Sequence, residues 1–358
     1  MAKRILVPLD GFLRAEVAIP VAARLARADN GTVILAYVTP EPGERNPSDM
    51  DQLGELAHMD VYARADAAAM YLRFVAADEA LTDVRTTTAV YACGGVSTIL
   101  AAARTQASDA IVLWDGRASD GDGDAHTRPT LAERLARRAP MPVLVVREEW
   151  PLGTSNAGAS RRPLRAVVAL DGTPSAEAIL PAAAELAAAL AGPRLAALHL
   201  VQVTHEHATM DDARAYLSSV AHDIRRELLG AHGLLLTWSV LHAQDIAGAL
   251  VAHVDRPRRA SGLDTSLEAL YQPTGAGEID PEEFDGGDLL VLADRDPQWT
   301  RFGSSAGVIE DALRAARCPV LIIRPPLAAP ALLGQHVIRP LTPGVPAIAL
   351  DGKLPVPH

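Results

Sequence analysis

The chain repeats itself, and that repeat restricts its fold more than any other feature. Residues 4–38 read RILVPLDGFLRAEVAIPVAARLARADNGTVILAYV, and residues 165–203 read RAVVALDGTPSAEAILPAAAELAAALAGPRLAALHLVQV. Each is a short apolar run, then Leu-Asp-Gly, then an Ala-rich amphipathic segment containing Ala-Glu, then a second apolar run. Asp10 therefore corresponds to Asp171. The halves also end alike. Residues 109–146 contain DAIVLWDGR and then LAERLARRAPMPVLVV; residues 288–323 contain DLLVLADRD and then VIEDALRAARCPVLII. Self-similarity of this extent in 358 residues means two whole domains of one kind rather than a short solenoid repeat.

Periodicity gives the elements. Ile5–Leu9 and Val167–Leu170 are continuous apolar runs, as expected of strands buried on both faces of a parallel sheet. Val17, Val21 and Leu25 share a helical face, as do Ile179, Ala183 and Leu186, and Ser175 with Glu177 marks a helix start. Second strands are expected at Val33–Val38 and Leu195–Val203, followed by long helices near 50–80 and 210–230. Third strands are expected at Val84–Tyr91 and Leu234–Leu241, then helices Gly95–Thr105 and Asp245–Val254. Fourth strands fall at Ala110–Trp114 and Leu289–Ala293, and last strands at Val143–Val146 and Val320–Ile323. Alternating strand and helix predicts α/β domains, doubly wound, with helices on both faces of a mostly parallel sheet.

The boundaries follow: a first domain over 1–148, a linker over 149–162, a second domain over 163–326 and a Pro-rich tail over 327–358. Residues 256–287 have no counterpart in the first copy and read as an irregular insertion, and the tail carries one short strand at Val337–Ile338.

Composition narrows the function classes. Hydrophobic residues make up 49% and aromatics only 4%, so the core is built from Ala, Val, Leu and Ile. A net charge of −11 argues against nucleic acid and anionic membrane as partners. Cys93 and Cys318, one in each half and without metal-like spacing, fit a reducing compartment. The start Met-Ala-Lys-Arg leads straight into a strand, and no apolar run approaches a membrane span, so a cytoplasmic protein is expected.

Leu-Asp-Gly with its Ala-Glu helix, and the closing Ala-Pro-Met-Pro-Val-Leu-Val-Val and Cys-Pro-Val-Leu-Ile-Ile, resemble a universal stress protein domain, here twice. The resemblance implies five-stranded sheets of the adenine nucleotide alpha hydrolase type. It also implies pairing through the last strands, which in one chain makes an intramolecular pseudo-dimer, and with it self-association as a homodimer alongside an unidentified protein partner. It implies a stress-response or signalling role without catalysis. The cofactor it implies is ATP, held by an Asp after the first strand, a backbone contact after the second, and a loop reading G-x-x-G, nine residues, then G-S or G-T. Asp10 and Asp171 match the Asp, and Val38 and Leu200 the backbone contact. The loop departs from the pattern in both halves. In the first, Trp114 and Arg117 stand at the glycines, Pro129-Thr130 stands at Gly-Ser, and Ser119-Asp120-Gly121-Asp122-Gly123-Asp124 is acidic. In the second, Ala293 and Asp296 stand at the glycines, although Gly303-Ser304-Ser305 offers small residues and free N–H groups. These departures argue against tight ATP binding and leave an ATP or AMP switch in the second domain as the alternative.

Other motifs weigh less. Gly303-Ser304-Ser305-Ala306-Gly307 fits G-x-S-x-G with Ser305 as a hydrolase nucleophile, but a helix start with capping serines is favoured because no strand directly precedes it. Asp120, Asp122 and Asp124 lack the turn glycine and distal Glu of a calcium loop. His205-Glu206-His207 is not the helical zinc arrangement. Cys93 reads as a small buried hydrophobe.

Overall fold

The computed structural model describes residues 3–38, 61–91, 94–115, 129–147, 163–205, 209–227, 234–257, 277–294 and 305–325. The first copy contributes strands β1 (Arg4–Leu9), β2 (Thr32–Val38), β3 (Arg85–Tyr91), β4 (Ala110–Trp114) and β5 (Val143–Val146). Its helices are α1 (Leu13–Glu16), α2 (Ala18–Ala28), α3 (Val61–Val75), α4 (Val96–Thr105) and α5 (Leu131–Ala136). The second copy adds strands β6 (Leu164–Leu170), β7 (Ala196–Thr204), β8 (Leu235–His242), β9 (Gly277–Glu278), β10 (Leu289–Ala293) and β11 (Val320–Ile323). Its helices are α6 (Pro174–Glu177), α7 (Leu180–Ala191), α8 (Met210–Glu227), α9 (Ile246–Val254) and α10 (Ser305–Ala315).

The strands form one sheet in the order β3-β2-β1-β4-β5-β11-β10-β6-β7-β8-β9. Each copy is doubly wound with parallel neighbours, and Leu6, Val7, Val167 and Val168 are fully buried between two helical layers. The sequence expectation of continuous apolar strands is met at β4, β5, β10 and β11 to the residue.

Three expectations are corrected. The first helix of each copy is not continuous: it breaks at Val17 and again at Ala178–Ile179. Pro20 and Pro181 explain this, because neither can donate the N–H that would bond Glu16 or Glu177. The second of these helices starts at Thr173, whose hydroxyl accepts from the Ala176 N–H, with Pro174 next, rather than at Ser175. The insertion is not wholly irregular: β9 pairs with β8, Thr237 opposite Gly277 and Trp238 opposite Glu278, and Ile279 and Phe284 are buried. The expected strand at Val337–Ile338 lies outside the described residues.

The copies meet where β5 and β11 run antiparallel, with Val145 opposite Val320, Leu144 opposite Leu321 and Val143 opposite Ile322. Leu144 faces its own counterpart, so a local two-fold relates the halves there. On one side of this seam the Ala-rich α2 packs on α7; on the other, α5 packs on α10. Lys3 meets Glu185 at 2.8 Å on the α2–α7 side, and on the α5–α10 side two ion pairs cross in opposite directions. Arg314 forks onto Glu133 at 2.8 and 3.1 Å, and Arg137 meets Glu310. Arg147 donates to the Leu313 carbonyl, and Arg324 donates to the Arg137 carbonyl at 2.7 Å.

These pairs are unequal. The Glu133 side chain is fully buried, whereas that of Glu310 is 17% exposed. Removing Arg314 strands a buried carboxylate, so Arg314→Ala is expected to cost about 2–3 kcal/mol. Arg137→Ala, which removes a guanidinium 53% exposed, should cost about 1 kcal/mol or less. Denaturant unfolding of the two variants beside the unsubstituted chain checks this order.

Candidate functional site

In a doubly wound domain the ligand crevice lies at the carboxyl ends of the strands, and both copies start theirs in the same way. Asp10 closes a turn by accepting the Phe12 N–H at 3.0 Å; Asp171 accepts the Thr173 N–H at 2.9 Å and its hydroxyl at 2.6 Å. The following glycines need their lack of a Cβ, with φ of +93° at Gly11 and +80° at Gly172. Each packs on a side chain of the next strand: Tyr37 under Gly11 and Gln202 under Gly172.

From there the crevices differ. In the first, Arg14 lies between two rings, its guanidinium carbon 5.4 Å from the centre of Phe12 and 5.3 Å from Trp114. Phe12 is buried and Trp114 half-buried, so this stack occupies the space beside Asp10. Tyr37 meets Tyr71 edge-on at 6.1 Å, and Tyr71 donates to Glu16 at 2.9 Å. In the second, Thr173, Ser175, Gln202 and Ala293 stand where the first has Phe12, Arg14, Tyr37 and Trp114. The space filled by aromatic and guanidinium groups in one half is lined by small polar groups in the other. Gln202 also keeps its side-chain carbonyl, Oε1, buried with no hydrogen-bond partner among the described residues.

The remaining sequence-predicted residues are distributed unevenly. Val38 closes β2, next to Tyr37 at the crevice. Leu200 does not reach the second crevice: it is fully buried in mid-strand, opposite Val168. The register makes Val203, beside Gln202, the counterpart of Val38. The cause is that the helix break, α7 and the turn before β7 are each longer than in the first copy, so that Val203 lies four residues further from Asp171 than Val38 lies from Asp10. Thr130 is an N-cap: its hydroxyl accepts from Glu133 N–H in a capping box and donates to Asp115 at 2.9 Å. Ser305 opens α10, well beyond the end of β10 at Ala293, which is not the strand–turn–helix of a hydrolase elbow. Gly303, Ser304, Arg117, Asp296, Cys93, His207 and the acidic 119–124 stretch lie outside the described residues. His205 is engaged with the Ala243 carbonyl at 3.1 Å, and no cluster of three metal-ligating side chains occurs among the described residues.

Sequence reading missed Asp115. It follows Trp114 at the end of β4, where burial lifts its carboxyl to about 6; Glu133 adds to the rise, while Arg147 and the Thr130 hydroxyl oppose it. Above about pH 6 the ionised Asp115 carboxylate sits at the end of β4, where it repels a phosphate in the first crevice. The second copy has Asp294 there, paired with Arg324.

Two fused doubly wound α/β domains, each with an Asp-Gly turn at the carboxyl end of its first strand, define the class. The universal stress protein family model matches residues 1–147 and again 164–324. The chain belongs to that family. Among solved structures it is similar to a universal stress protein from Archaeoglobus fulgidus DSM 4304, at 14% identity over 91% of this chain and 97% of that chain, with a TM-score of 0.51. It is also similar to a functionally unknown protein from Pseudomonas aeruginosa PAO1, at 15% identity over 90% and 93% of the two chains, with a TM-score of 0.46. No protein of curated function matches it. No helix among the described residues is long and apolar enough to cross a membrane.

Asp115 gives a signed prediction. Its value in the folded chain lies above the ordinary 3.8, so its contribution to stability is complete below that value and is lost as pH rises through about 6. Asp115→Asn should therefore gain on the unsubstituted chain between about pH 4 and pH 7.5, by roughly 2 kcal/mol, read from melting curves at the two pH values.

Proposed function

We propose that this is a non-enzymatic universal stress protein module of the cytoplasm in which the first crevice is closed by its own side chains and the second receives the ligand. The observation that carries this reading is the substitution of Phe12, Arg14 and Trp114 by Thr173, Ser175 and Ala293 at matching positions. A filled crevice binds nothing further; it stiffens the half that has it. Action by binding and assembly, rather than by catalysis, is supported by the state of the reactive groups. Burial raises the Cys318 thiol, and His199 and His253 are buried against each other.

The ligand class best supported is an adenine nucleotide. Gln202 Oε1 is a buried acceptor lacking a donor among the described residues, and an adenine amino group or ribose hydroxyl supplies one. The departures from the glycine loop pattern at Ala293 and Asp296 make the binding weak. The antiparallel β5–β11 contact supports reading the two copies as a pseudo-dimer within one chain.

Calorimetric titration with ATP tests this. One nucleotide per chain is expected, Gln202→Leu should weaken it about tenfold by removing one hydrogen bond, and Asp10→Ala should leave it unchanged. Two nucleotides per chain, equal losses from Asp10→Ala and Asp171→Ala, or release of ADP at a steady rate would contradict the proposal.

A further inference from the structure

The second copy holds a buried polar cluster that the first lacks. His199, in the middle of β7, is fully buried, and His253, near the end of α9, is 2% exposed. Their Nε2 atoms lie 3.2 Å apart, and His199 Nδ1 lies 2.7 Å from the Thr237 hydroxyl of β8. At 3.2 Å one nitrogen donates and the other accepts, an arrangement that two neutral rings satisfy with one N–H between them. His253 Nδ1 is buried without a partner among the described residues. In the first copy the place of His199 is taken by Ile34, and the facing helix offers Ala102 and Ala103.

Phe284 comes from the insertion and stacks on both imidazoles, with ring centres 4.0 Å from His199 and 4.1 Å from His253. Around it the segment is fastened by hydrogen bonds. The Ile279 N–H donates to the Trp238 carbonyl at 2.9 Å, Ser239 donates to the Ile279 carbonyl at 2.5 Å, and the Gly287 N–H donates to the Val254 carbonyl at 2.8 Å. Arg165, from β6, lies 4.9 Å from the Phe284 ring, donates to the Gly286 carbonyl at 2.9 Å and pairs with Asp285.

We propose that the His199–Phe284–His253 stack is an acid-released latch, in which protonation of the imidazoles frees segment 277–287 and uncovers the outer edge of β8. The charged groups facing the imidazoles are Arg165 from β6 and Arg256 beyond α9; β8 offers only neutral Thr237, and Asp285 of the segment is held by Arg165. A proton added to the pair thus enters a dry site beside two guanidinium groups, the nearby Asp285 being already paired with Arg165. Desolvation and those charges hold His199 far below its ordinary range and bring His253 down to about 3.

The sign follows. The latched form resists protons that the released form takes up near 6.5, so latching is intact above about pH 6.5 and weakens as pH falls below it. At about pH 5 one histidine with an ordinary value in the released form shifts the equilibrium toward release by about 30-fold. Acid then exposes Phe284 and a strand edge able to pair with another chain. This device does not depend on the nucleotide reading of the crevice.

Hydrogen–deuterium exchange of the full chain, corrected for intrinsic rates and followed by mass spectrometry, tests the latch. Peptides covering 277–287 should lose protection at least about tenfold between about pH 7.5 and pH 5, while β1, β2 and β6 keep theirs. His199→Ile with His253→Ala, which imports the first-copy residue types, should keep the segment protected at both pH values. Phe284→Ala should release it already at the higher pH. Unchanged protection of 277–287 in the unsubstituted chain overturns the proposal. So does an acid-dependent loss that persists without the two histidines, or a segment that stays protected without Phe284.

Discussion

The antiparallel contact between β5 and β11 is the constraint on which the rest depends. A parallel five-stranded sheet leaves the last strand as an open edge with unpaired N–H and C=O groups, and an apolar Val143–Val146 or Val320–Ile323 edge in water invites aggregation. Pairing the two last strands removes both edges at once and makes one sheet of the two copies. The contact then extends into both helical layers, where alanines on α2 and α7 allow close approach and the Glu133–Arg314 and Glu310–Arg137 pairs fix the orientation. Covalent linkage makes that encounter intramolecular.

Once the seam holds both copies, neither needs to keep every feature of the other. The strands and the Asp-Gly turns are retained in both, because they shape the fold. The crevices and the interior have diverged. In the first copy Arg14 fills the crevice between Phe12 and Trp114. In the second the crevice carries Thr173, Gln202 and Ala293, and a buried histidine pair replaces aliphatic packing. The insertion is what makes those histidines tolerable: Phe284 covers them, and Arg165 and Asp285 hold Phe284 in place.

Much of the fold was legible in the sequence because buried parallel strands are unbroken branched apolar runs, as at Leu289–Ala293 and Val320–Ile323. The helix breaks were written in Pro20 and Pro181, whose missing N–H groups act one turn upstream. The site was less legible. Asp10 and Asp171 align through the repeat, but Leu200 was taken where Val203 belongs, since the segment from Asp171 to Val203 is four residues longer than its first-copy counterpart from Asp10 to Val38 and shifts any count along the chain. The Arg14 stack and the His199–His253 pair depend on strand register and helix rotation, which bring together residues far apart in sequence. No local pattern announces them, although a histidine inside the apolar run of β7 is a signal that a buried partner must exist.

The central claim is that two unlike copies form one cooperative body through the seam. Differential scanning calorimetry of the full chain tests it most directly. A single unfolding transition with equal calorimetric and van't Hoff enthalpies is predicted, because β5 and β11 share one core. Two separable transitions, each with the enthalpy of one copy, would show that the halves unfold independently and would contradict it.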